Sequence, residues 1–192
     1  EASGQVFLRV LRDALLGGPG GSNLLIPRRP LGALLPDPAV AWLQQRGQAV
    51  RLGHRVQSLQ RHGARWQVDG QAFDQVLLAC PAWDAARLVQ ASGCGADAWL
   101  ARARALRFTA ITTVYAHGTA RLPRAMVALH SGADAPAQFV FDHHHLGEDG
   151  LLAFVASDSR GTREALERSV LRQAHRQLGL SDLQAVATIV EK

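Results

Sequence analysis

Three consecutive histidines, His143 to His145, form the densest group of chemically capable side chains in this sequence. On an extended backbone adjacent side chains point to opposite faces, so only His143 and His145 could converge on one ion. No cysteine or carboxylate stands at a characteristic zinc spacing from them, and a polar turn after AQFVFD accounts for them better than a metal site. The two cysteines, Cys80 and Cys94, form no redox CxxC pair. Serine, histidine and aspartate all occur, yet there is no GxSxG elbow and no HExxH. The only glycine cluster, GGPGG at 17–21, follows a helical pattern rather than a strand, so it reads as a helix stop and not as a phosphate loop. No catalytic residue can be assigned from these patterns, and no metal is expected.

The elements around these residues are more legible. Val6, Phe7, Val10, Leu11, Ala14 and Leu15 recur at helical spacing. A continuous run at 41–88 reads as a helix, three strands and a second helix. Asp37 as N-cap and Pro38 as first helical residue open the first helix, and Gly47 closes it. Strand-like stretches follow at 48–59, 64–70 and 71–80, with turn chemistry at 61–64 and at Asp69-Gly70. The third becomes wholly apolar at VLLAC, as expected of a strand covered on both faces. Cys80 would then sit at the end of a buried strand.

The second half carries a short helix near 97–106 and strand candidates FTAITTVYAH, AMVALH, AQFVFD, LLAFVAS and AVATIVEK. A helix at 162–178 interrupts them, with Leu166, Val170, Ala174 and Leu178 on one stripe and Gly179 as its stop. Four strands in succession with short connections imply mostly antiparallel pairing, covered by a helix on one face. The fold class is α+β. Residues 49–80 are expected to pack as a unit separate from the later sheet. Phe139 and Phe141 share one face of their strand, opposite Gln138, Val140 and Asp142. Together with Tyr115 and Phe154 they are strand aromatics that serve either as core or as the wall of an apolar pocket, and the sequence does not choose the face.

The order of elements in the first half resembles the FAD-dependent amine oxidase and phytoene desaturase superfamily. There a helix and a G-x-x-V-x-x-x-x-V strand lead into a small β-meander and a D-x-V-x-x-A-x-P strand; the matching residues are Gly47, Val50, Val56, Asp74, Val76, Ala79 and Pro81. Flanking segments, SNLLIPRRPLGALLPDPAVAWL, LRFTAITTVYAHGTARLP and AQFVFDHHHLGEDGLLAFVAS, resemble the squalene-associated branch, the hydroxysqualene dehydroxylases of hopanoid synthesis. The resemblance implies a helical substrate-side segment at 1–48, part of an FAD domain at 49–92 and a substrate domain at 93–192.

It also implies FAD as cofactor of the full-length enzyme, with the Val56 backbone against the adenine and with Ala79, Cys80 and Pro81 at the strand end nearest the flavin. Tyr115, Phe139, Phe141 and Phe154 become candidates for contact with a lipophilic isoprenoid. The implied reaction replaces the allylic hydroxyl of hydroxysqualene by a hydride equivalent, giving squalene and water; the proton donor is not identified. Without a GxGxxG turn the sequence reads as an internal segment, which alone is expected to be inactive and to bind FAD negligibly. Two other readings stay open: a relative acting on a carotenoid precursor, a porphyrinogen or an amine, and a lipid- or protein-binding module without redox chemistry.

Composition narrows the partners. With 192 residues, 47% of them hydrophobic, the chain can bury a sizeable core. Its net charge is +5, but the arginines are dispersed with no run longer than Arg28-Arg29, unlike a phosphate-tracking surface, so nucleic acid is not expected. Arginine beside apolar side chains suits contact with an anionic membrane surface. No apolar run approaches the roughly 18 residues of a spanning helix, and the first residues do not resemble a signal peptide. The expectation is a reduced cytoplasmic protein, with peripheral contact at the inner membrane face as an option; oligomeric state is not readable.

Overall fold

The computed structural model describes residues 3–191. Helix α1 (Gly4–Leu15) follows the helical apolar spacing and ends where Gly18 and Gly20 take positive φ, so the glycine cluster acts as the helix stop that its position suggests. Helix α2 spans Pro36–Gln45 and is left through Gly47 at φ 71°. Its start differs from expectation. Leu35 occupies the N-cap without a side-chain hydrogen bond, and Asp37 lies in the first turn. Pro36, like Pro38, brings a helical φ and no N–H to satisfy, so the helix can begin earlier than the aspartate.

Strands β1 (Leu59–His62), β2 (Arg65–Val68) and β3 (Gln71–Phe73) form an antiparallel meander in that order. Val68 pairs with Gln71 across Asp69 and Gly70, both at positive φ, as a two-residue type I′ hairpin requires. The strands are shorter than the sequence suggests. Residues 48–58 and 75–80 pair with no strand, and Leu77 is 92% exposed. The apolar run VLLAC is therefore not a strand covered on both faces, and Cys80 is exposed rather than buried at a strand end. A strand is defined by a neighbour with which it exchanges backbone hydrogen bonds, and no described strand pairs in this way with either segment.

Helix α3 (Ala82–Ser92) packs on β1 and on α4 (Asp97–Ala105), burying Ala86, Leu100 and Ala103 together. The second sheet contains β4 (Ile111–His117), β5 (Met126–Ala128), β6 (Phe139–Asp142), β7 (Leu151–Ser157) and β8 (Gln184–Glu191) in the order β5-β6-β7-β4-β8, antiparallel throughout. It shares no strand with the meander.

Helix α5 (Arg163–Leu178) covers one face of this sheet. The Thr162 hydroxyl accepts the Ala165 N–H at 3.3 Å, and Gly179 closes the helix at φ 71°. Val170 and Ala174 on its inner stripe pack with Val114, Ala116, Val140, Leu152 and Phe154. Because directly paired residues share a face and successive ones alternate, the register fixes the opposite face as well: Thr113, Tyr115, Ala153, Val155, Phe139 and Phe141 point away from the helix.

Candidate functional site

Two regions gather the residues singled out by sequence. The first is a cavity of about 430 Å³ beside the meander. Val56, Ala79 and Cys80 all line it, with Leu59, Val76 and Leu88 supplying further apolar wall; Pro81 stands just beyond as the N-cap of α3. The two unpaired segments thus meet at one cleft although neither belongs to a sheet. Side chains replace the missing ladder. Arg87, one turn into α3, donates from Nη2 to the Val56 carbonyl at 3.0 Å and from Nη1 to the Gln57 carbonyl at 3.3 Å. Asp84 in the first turn of the same helix accepts from Arg55 at 2.6 Å and lies 3.6 Å from Arg87. The Arg55 hydrogen bond, reinforced by the charges of Arg55 and Arg87, holds the Asp84 carboxyl below its usual range.

Asp69 fixes the same segment from the meander side. Its Oδ1 accepts the N–H groups of Ser58 at 2.7 Å and Gln57 at 3.0 Å, and its Oδ2 meets His54 Nε2 at 3.0 Å. The Ser58 N–H is the main cause of its lowered pKa, and His54 adds to it. A carboxyl whose folded pKa lies below 3.8 contributes stability that is complete above that value and is lost as pH falls through the folded pKa. Amide hydrogen exchange at residues 54–58 should accordingly accelerate as pH is lowered from 5 toward 3, after correction for intrinsic rates. Asp69→Asn should raise exchange at pH 7 and flatten that dependence; an unchanged profile would remove Asp69 from this role.

The second region is the open face of the five-stranded sheet. Tyr115, Phe139 and Phe141 lie on it, Phe139 being 38% exposed. Phe154 does not join them. It is 0% exposed on the opposite face, packed under α5, and is a core residue. The histidines after β6 form a short 3₁₀ turn, His143–Leu146, capped by Asp142, whose Oδ1 accepts the His144 N–H at 2.9 Å and whose Oδ2 accepts the Leu122 N–H at 2.9 Å. His144 pairs with Asp149, and His145 Nδ1 meets the Asp142 carbonyl at 2.6 Å. No group of three metal-capable side chains gathers among the described residues.

His143 instead sits edge-on to Tyr115, with ring centroids 5.9 Å apart at 86°. Sequence reading weighed it only as a metal ligand or turn residue, not as a neighbour of Tyr115. The signal was present nonetheless, since residues 139, 141 and 143 continue one alternation and place His143 at the end of the same row.

The profile of the family described as flavin containing amine oxidoreductase matches residues 12–190. The chain belongs to that family. A hydroxysqualene dehydroxylase from Rhodopseudomonas palustris is 37% identical over 98 residues, an alignment covering 46% of this chain and 23% of that protein. For a flavin-containing family member, the cleft at Val56 has features that suit a flat ring system: apolar walls and an adjacent backbone. A glycine-rich strand-to-helix turn for pyrophosphate is not found among the described residues, because the 17–21 cluster trails α1. No described helix is long and apolar enough to cross a membrane.

Proposed function

We propose that this chain forms part of a flavin-dependent oxidoreductase that acts on a long lipophilic isoprenoid, with reductive dehydroxylation of hydroxysqualene to squalene as its reaction. The open sheet face carries this reading: Phe139, Phe141 and Tyr115 present aromatic surface on the side that α5 leaves uncovered. A hydrocarbon chain needs such a wall, with few polar groups. The name borne by the Rhodopseudomonas palustris relative supports hydroxysqualene as the substrate. In this reading residues 1–48 and 93–192 serve the substrate side and 49–92 the cofactor side.

Ala79, Cys80 and Pro81 are the residues that would stand nearest the flavin of FAD, and Val56 is the one that would hold its adenine through the backbone. The Val56 carbonyl is already shared with Arg87, so the N–H is the better-placed contact. When bound, the flavin supplies the hydride equivalent. A lipophilic substrate also favours peripheral membrane contact, to which the exposed apolar residues of α1, among them Phe7 and Leu15, are suited.

The test is turnover by the intact enzyme with reduced flavin. Hydroxysqualene should be converted to squalene, identified by gas chromatography and mass spectrometry. A carotenoid precursor, a porphyrinogen and an amine, offered in parallel, should be left unchanged. Turnover of one of those with none of hydroxysqualene would overturn the reading.

A further inference from the structure

Most of the polar groups around the open sheet face are spoken for. Among the three adjacent histidines, His144 is held by Asp149 and His145 by the Asp142 carbonyl. His143 is different. Neither of its ring nitrogens meets a hydrogen-bond partner among the described residues, and the ring packs edge-on against Tyr115. The Tyr115 hydroxyl likewise bonds to no described residue, although Tyr115 is partly buried in the middle of β4. Two groups able to donate and accept therefore stand together on a face whose other members are Phe139, Phe141, Ala153, Val155 and, two residues before Tyr115 on β4, Thr113.

We propose that Tyr115 and His143 are a specificity-determining pair that hydrogen-bonds the hydroxyl of an otherwise apolar substrate, a long-chain isoprenoid alcohol, and so fixes where along the face its oxygen lies. The proposal rests on the reading of this face as the substrate wall and adds the polar point within it. The geometry suits an alcohol better than a charged head group. Burial, with the neighbouring His145 adding to it, lowers the His143 pKa, against the weaker opposing pull of Asp142 and Glu148. A neutral imidazole offers one donor and one acceptor, and a phenol offers both as well, matching an O–H that also does both. A hydrocarbon of the same shape would leave both protein groups without a partner once water is displaced, which disfavours it.

The experiment compares two probes on the intact flavoenzyme: farnesol, an isoprenoid alcohol, and β-farnesene, a hydrocarbon of the same carbon count. Dissociation constants are taken by isothermal titration calorimetry, and the His143 ring resonances are followed by NMR. Wild type should bind farnesol about tenfold more tightly than farnesene, as one or two net hydrogen bonds allow, with His143 shifts specific to the alcohol. Tyr115→Phe and His143→Phe should each cut the preference to about threefold or less, leaving farnesene affinity and melting temperature within error of wild type. Equal binding of the two probes by wild type, or a preference that survives both substitutions, would overturn the pair while leaving the apolar face as a lipid wall. Binding of neither probe would overturn the lipid wall itself and the pair with it. If one variant loses melting temperature, the other decides.

Discussion

On the function proposed above, Phe141→Asp in the intact enzyme should abolish squalene formation while flavin content and melting temperature stay near wild-type values. Phe141 projects from β6 on the face away from α5, in a row with Ala153 and Tyr115. A carboxylate there does not enter the core formed by Val114, Val140, Leu152, Phe154, Val170 and Ala174. It enters the path that an apolar chain must occupy, and an ionised carboxylate cannot be desolvated by hydrocarbon without a cost of many kcal/mol. A loss of turnover of at least about 100-fold follows from only about 3 kcal/mol of lost transition-state binding.

Phe154→Asp is the matched control, since the same charge would lie on the helix-covered face where the native ring is fully buried. That variant should lose soluble protein, melting transition and flavin together. Flavin absorbance, thermal stability and squalene yield measured on one preparation of each separate the two outcomes. An active and stable Phe141→Asp would remove the open face from substrate contact. A Phe141→Asp protein that behaves like Phe154→Asp would make Phe141 a core residue.

The contrast between these two phenylalanines marks where sequence reading stops. Alternation places Phe139 and Phe141 on one face of β6, but only the register with β7 and the position of α5 decide which face is covered. Most local signals were read well, the N-cap at Asp37 excepted. The Leu166, Val170 and Ala174 stripe and Gly179 as stop mark α5, and Asp69-Gly70 delimits a hairpin, because each depends on residues within a turn or two of one another. Segments 48–58 and 75–80 were read as strands from their apolar content, yet pairing depends on a neighbour that composition cannot reveal.

The candidate cofactor cleft shows the same division. Val56, Ala79 and Cys80, singled out together in the sequence, line one cavity. That Arg87 holds Val56 across 31 residues, anchored by Asp84 and Arg55, has no local signature. Such braces become visible only when helix and loop are placed together.

The strongest of these braces gives the last expected result: Gln173→Leu destabilises the protein by about 4 kcal/mol, while Gln177→Leu, one turn along the same helix, costs less than about 1 kcal/mol. Gln173 is 0% exposed on the inner side of α5. Its Oε1 accepts the Ala137 N–H at 2.9 Å, and its Nε2 donates to the Ala137 carbonyl at 2.8 Å and the His130 carbonyl at 3.0 Å. Leucine fills a similar volume but satisfies none of these. Ala137 is itself fully buried, so neither its N–H nor its carbonyl can turn to water, and each orphaned group costs roughly 1–3 kcal/mol. Gln177 makes two bonds to the His130 backbone, but at an exposed position where water takes over. For a protein of this length about 4 kcal/mol corresponds to a fall in melting temperature of roughly 10 °C, readable by circular dichroism together with a lower denaturant midpoint. Because Ala137 leads directly into β6, loss of the brace should also loosen the start of the strand that carries Phe139. Faster hydrogen exchange at 137–141 in Gln173→Leu, but not in Gln177→Leu, would tie the helix to the substrate wall. Equal and small effects of both substitutions would show that the buried amide is dispensable.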